Sequence, residues 1–118
     1  MKAEGTRISE LNDQHVSAVA FVQDYVEFHF DGKILRSLSE PVVSMGRLSW
    51  RFPAVGARDA LCTLIGKPVA DVHVFEGDRI ELDFGGGTLL AIPLSESART
   101  GEEAAHYVSG ENGPIEVW

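Results

Sequence analysis

Residues 24–38, "DYVEFHFDGKILRSL", alternate apolar and polar side chains: Val26, Phe28 and Phe30 against Glu27, His29 and Asp31. A period of two marks a strand with one face in a core and the other in water. The pattern returns at 78–92, "DRIELDFGGGTLLAI", where Ile80, Leu82 and Phe84 alternate with Glu81 and Asp83. A shift of 54 residues lays Asp24 on Asp78, Glu27 on Glu81, Phe30 on Phe84, Gly32 on Gly86 and Leu35 on Leu89. A duplication accounts for the match, and so does the shared habit of two amphipathic hairpins. Both predict two antiparallel three-stranded meanders, in copies at about 15–39 and 69–94. The flanking strands are 15–22 and 33–39 in the first copy, and 69–76 and 88–94 in the second.

Asp31-Gly32 between two such strands is the signature of a two-residue hairpin with a type I′ turn, which needs positive φ at both central residues. The shift of 54 places Gly85-Gly86 there in the second copy. A phosphate-cradling loop would need a helix after the glycines, whereas "TLLAIPL" reads as a strand. Gly87 stands opposite Lys33 and has no role in this turn. A missing side chain there would admit a neighbouring strand or a ligand.

Between the copies, 42–44 and 47–52 predict a further hairpin around Met45-Gly46. "ARDALCTLIG", 57–66, is the one helix candidate, with Leu61, Leu64 and Ile65 as its apolar stripe and Gly66 and Pro68 at its end. After the second copy, "SESARTGEEAA" is a polar loop with a helical turn near 102–105. A terminal hairpin follows, 106–108 and 115–118 around Asn112-Gly113, with Trp118 docked. The predicted fold is mainly β: two meanders and a C-terminal hairpin, eight strands apart from the hairpin at 42–52, forming a small sandwich or partly closed barrel with one short helix.

A chain of 118 residues, 44% hydrophobic, forms a single domain over 1–118 with a core of its own. It has no apolar run of membrane-spanning length, and acids occupy the place of a signal peptide's apolar segment. Cys62 is the one cysteine, which excludes an internal disulfide and fits a reducing compartment, the cytoplasm. Inside the helix candidate it reads as a small hydrophobe. Net charge is −8, which argues against nucleic acid as a partner. The charge is uneven: residues 1–66 carry eight acids and seven bases, residues 67–118 ten acids and three bases. A basic middle (Lys33, Arg36, Arg47, Arg51, Arg58, Lys67) and an acidic C-terminal half favour self-association or an oriented partner.

Candidate chemistry is sparse. His15, His29, His73 and His106, with Asp71, supply potential metal ligands. Glu27 and His29 on one wet face, with Glu81 and Asp83 on the other, would form a site if the meanders met about a pseudo-twofold. No His-x-x-x-His or Cys-x-x-Cys spacing supports it, and an alternating strand wetting its polar face is the plainer reading. Glu81 and Asp83 also form a carboxylate pair of the kind that does acid–base work, but no nucleophile motif accompanies them and no cofactor is implied. "GRLSWRF", 46–52, combines Trp50 with Arg47 and Arg51, residue types enriched at binding hot spots. Trp50 belongs either to the core or to a dimer or partner interface.

The strings "DALCTLIGKPV", "DRIELDFGGGTLLAIPL" and "EEAAHYVSGENGPIEVW" resemble a group of small bacterial proteins of unknown function. That resemblance implies a bacterial, cytoplasmic setting and assigns no catalytic residue. The expectation is a non-enzymatic interaction or regulatory module that binds a protein partner or forms a homodimer. One form would be an acidic inhibitor or immunity-type protein facing a basic partner. The alternative is a small-ligand or metal-binding barrel, with enzymatic activity in some versions, with His29, Glu81 and Asp83 near its mouth.

Overall fold

The structure, a computed structural model, describes residues 7–99, 101–110 and 113–118. Ten strands among them form two antiparallel sheets. The first meander is β1 (Ala18–Val22), β2 (Tyr25–Phe30) and β3 (Lys33–Ser37); the second is β6 (Asp71–Phe75), β7 (Arg79–Gly85) and β8 (Thr88–Pro93). Two hairpins complete the sheets: β4 (Val42–Met45) with β5 (Leu48–Arg51), and β9 (Ala105–Val108) with β10 (Ile115–Val117). Each hairpin follows one meander in sequence and joins the other in space. Sheet I runs β1-β2-β3-β9-β10 and sheet II runs β6-β7-β8-β4-β5.

This exchange makes the two halves pseudo-equivalent, as the backbone joining them records. Asp13 N–H donates to Val69 O and Gly66 N–H to Val16 O; Val16 N–H donates to Lys67 O and Val69 N–H to Gln14 O. Donors and acceptors in each pair map onto one another by adding 53 (13 to 66, 16 to 69, 14 to 67). A 3-10 helix, Arg7–Leu11, precedes the first of these segments, and α1 (Ala57–Cys62) precedes the second. Ile8 and Leu11 bury on one side as Leu61 and Leu64 do on the other. The offset grows to 54 at β2/β7 because the turn before β7 is one residue longer: 76–78 against 23–24.

One apolar cluster takes the inward residues of both sheets: Val26, Phe28, Phe30, Leu35 and Tyr107 from sheet I, and Val43, Val72, Val74, Ile80, Leu82 and Leu90 from sheet II. The architecture is therefore the small sandwich. The barrel alternative fails because the sheets share no strand pairing, leaving β1, β10, β5 and β6 as edges.

Several local expectations shift. β7 carries a bulge between Asp83 and Gly85, so the turn is Gly86-Gly87 rather than Gly85-Gly86. Gly87 (φ +85) is thus the counterpart of Gly32 (φ +104); Phe84 is the unpaired bulge residue, and Gly85, paired with Thr88, takes the place of Phe30. Gly87 needs no ligand to explain it: it is a turn glycine whose carbonyl accepts from Gly46 N–H at 3.1 Å. The neighbouring hairpin turns at Gly46-Arg47, with Met45 paired to Leu48, one residue later than expected. α1 stops at Cys62, and Cys62 is exposed, not a core residue. The 3-10 helix carries no strong periodicity and was not foreseen. The turn expected near 102–105 falls at 95–99, where Ala98 and Arg99 N–H donate to Ser95 O; Ala105 opens β9 instead. His15 lies outside β1, bridged to Pro68. Asn112 of the terminal loop lies outside the described residues.

Candidate interaction groove

The outer faces come first, since sequence reasoning placed its metal ligands there. Glu27 and His29 project from β2 in sheet I, while Glu81 and Asp83 project from β7 in sheet II. In each strand the alternate residues fill the shared core. The two pairs therefore face away from one another, and the structure does not bring the four together. Among the described residues no group of three or more His, Cys, Asp or Glu is placed to hold a metal ion.

These side chains serve instead in polar networks. On sheet I, Glu27 Oε2 accepts from Arg36 Nε at 2.8 Å, and its Oε1 lies 3.1 Å from His29 Nε2. Burial alone would raise the Glu27 carboxyl, but the Arg36 and His29 bonds hold it below the usual carboxylate range. Arg36 Nη1 approaches His106 Nδ1 at 3.1 Å. A guanidinium has no acceptor, so Nδ1 accepts, and Nε2–H donates to Glu103 Oε1 at 2.8 Å. On sheet II, Arg79 donates to Glu81 Oε2 (2.8 Å) and to Asp78, and lies 4.2 Å from the Phe75 ring centroid. His73 pairs with Asp71 at 3.2 Å.

Trp50 packs partly buried against the core, opposite Val43, and its ring seats on Gly56. A Cβ at Gly56 would meet the indole Cδ1 and Nε1 at 3.1 Å, and φ is +89 there, so only glycine fits both demands. Arg47 and Arg51 stand exposed beside it, and Leu48, two residues before Trp50 on β5, is 62% exposed.

The site itself lies where sequence reasoning did not look. Two adjoining pockets of about 410 and 250 Å³ share Asp24 and Leu38 and open along the end of sheet I. Tyr25, Gly101, Glu102 and Glu103 line the first; Gln23, Ser39, Glu40, Phe52 and Pro53 line the second. Together they make one groove with an apolar floor and four carboxylates (Asp24, Glu40, Glu102, Glu103), and among the described residues no Lys or Arg lines either part. The groove is firmly built. Ser39 is buried and its Oγ donates to Pro93 O at 2.6 Å, Ser37 Oγ donates to Ser39 O, and Leu38 N–H donates to Ala104 O. Asp24 and Glu40 make no ion pair among the described residues, so their charge is offered outward.

One signal for this groove was present in the sequence. In the aligned repeat Asp24 matches Asp78, but the next residue is Tyr25 in one copy and Arg79 in the other. The cation that neutralises Asp78 has no counterpart beside Asp24. No helix among the described residues is long and apolar enough to cross a membrane. No family model, curated protein or solved structure matches the chain.

Proposed function

We propose that the protein is a non-enzymatic interaction module whose groove accepts a basic segment of a protein partner. The observation that carries this reading is the groove between Tyr25 and Phe52, four carboxylates over an apolar floor with no cation among the described residues of its lining. An arginine or lysine side chain satisfies both parts at once, laying its alkyl stem on the floor and its charge at the rim. An acidic inhibitor of a basic partner is one concrete form of this role, and long-range attraction to an acidic surface would speed its encounter. A reducing compartment, the cytoplasm, suits the exposed thiol of Cys62.

The test is direct binding of a short, fluorescently labelled peptide of alternating arginine and valine to the full chain. Asp24→Asn with Glu40→Gln is expected to weaken binding about tenfold and to flatten its salt dependence. A control removing the same charge elsewhere, Asp31→Asn with Glu76→Gln, leaves affinity within about twofold. Equal loss in both double variants would reduce the groove to a share of the net charge and overturn the reading.

A further inference from the structure

The groove's rim continues into a loop with the opposite character. After Phe52 and Pro53, which line the groove, residues 53–56 are all exposed, and Val55 is fully so, at 100%. Arg51 precedes this tip and Arg58 follows it, both exposed. Arg51 has no carboxylate partner among the described residues. Among the described residues Arg58 rests on aromatic rings without a carboxylate partner, 4.8 Å from the Phe52 centroid and 5.8 Å from that of Phe21, itself stacked on Phe52. Unpaired carboxylates and unpaired guanidiniums thus sit on neighbouring surfaces of one rigid rim. Within a single chain they do not meet.

A second molecule related by a two-fold axis beside this rim would bring them together. Its loop enters this chain's groove while this chain's loop enters its groove, a closed isologous contact in which each pairing is made twice. We infer that the groove's occupant in the isolated protein is the 51–58 loop of a second copy, with Val55 on the apolar floor and Arg51 and Arg58 at the acidic rim. This rests on the groove being a site for a basic segment, and names a partner for it. Net charge of −8 opposes dimerisation at long range. At physiological salt that repulsion is screened beyond roughly 8 Å, so the local complementarity decides the contact. A loop and a groove make a small interface, so the dimer forms and dissociates readily and a competing basic segment displaces it.

Sedimentation velocity on the full chain over a range of concentration and salt is the measurement. A monomer–dimer equilibrium that weakens with salt is expected, and Val55→Asp, at a position that touches nothing, should raise its dissociation constant at least about tenfold. The decisive arm mixes two charge reversals, Arg51→Glu with Arg58→Glu in one protein and Asp24→Arg with Glu40→Arg in another. Each alone sets like charges against each other and is expected to be monomeric. Mixed, both loop–groove contacts become attractive and a heterodimer returns. A wild-type chain that stays monomeric throughout, or a dimer indifferent to Val55→Asp, overturns the inference. In either case, salt-sensitive binding of the arginine–valine peptide leaves the groove reading standing, and its absence removes both.

Discussion

At the head of β2 stands Asp24-Tyr25, and at the head of β7, Asp78-Arg79. Both follow a β-turn into the second strand of a sheet of the same order, yet their surfaces differ. Arg79 gathers Asp78 and Glu81 into one ion-paired cluster over Phe75 and leaves nothing to recruit. Tyr25 cannot do this. The cation of sheet I comes instead from Arg36 on β3, which bonds Glu27 and lies 5.8 Å from the Tyr25 ring centroid. Asp24 is left unpaired at the mouth of the groove. One exchange of side chain on a repeated scaffold thus separates a neutralised surface from one that keeps an unpaired carboxylate.

The largest test of the equivalence is in the core. Phe28 and Leu82 are counterparts, both fully buried. Phe28→Ala should cost about 3–5 kcal/mol and Leu82→Ala about 2–5 kcal/mol in chemical denaturation. Since every sheet draws strands from both halves, each variant should still unfold in one transition by fluorescence and by circular dichroism. Two separated transitions would show the halves to be independent.

A smaller effect probes a contact that only one half has. The phenol of Tyr107 on β9 and the hydroxyl of Ser109 both donate to Glu10 of the 3-10 helix, at 2.8 and 2.6 Å. The Ser109 and Tyr107 bonds hold the Glu10 carboxyl below the usual range, while burial pushes the Tyr107 phenol up, with the Glu10 bond adding to it. Tyr107→Phe should cost about 1 kcal/mol at neutral pH. A carboxyl lowered by folding stabilises above its unfolded value and loses that contribution as pH falls through its folded value. The gap between wild type and Tyr107→Phe should accordingly narrow below about pH 4. A gap constant from neutral pH down to the acid transition would show that the ionised form is not what the phenol binds.

The smallest expected change in stability carries the most functional information. Tyr25→Arg copies the second half's arrangement into the first and should alter stability by no more than about 0.5 kcal/mol. It should pair Asp24, put a cation on the groove wall, and weaken both peptide binding and self-association several-fold. Unaltered peptide affinity would separate recognition from this turn.

Much of the scaffold was legible because alternation in β2 and β7 is written twice and both strands bury one full face. Positions that depend on pairing were not. Which two of the three glycines make the turn depends on a bulge at Phe84, set by the fit of β7 to β8, which a sequence shift of 54 cannot resolve. The partners of β4 and β9 are set by the packing of distant strands, so the hairpins were visible and their exchange was not. The groove was illegible for a similar reason. Asp24, Glu40, Glu102 and Glu103 come from three separate connections, and only the end of sheet I gathers them. Glu27, His29, Glu81 and Asp83 caught the eye because they alternate cleanly, which is the habit of residues that coat a sheet.

The exchange of hairpins also fixes an order of assembly on the ribosome. When β8 has emerged, β4 and β5 are already waiting, and sheet II can be finished at once. Sheet I cannot: β3 keeps an open edge until β9 and β10, the last strands described, arrive to cover it. Through that interval the nascent chain carries an unpaired strand whose rightful partner has not been made, and a hairpin from a neighbouring copy would fit it equally well. Of the pairings that join a hairpin to a meander, β3 with β9 is the later to become available, and it is the one at which two chains in close company are most readily confused.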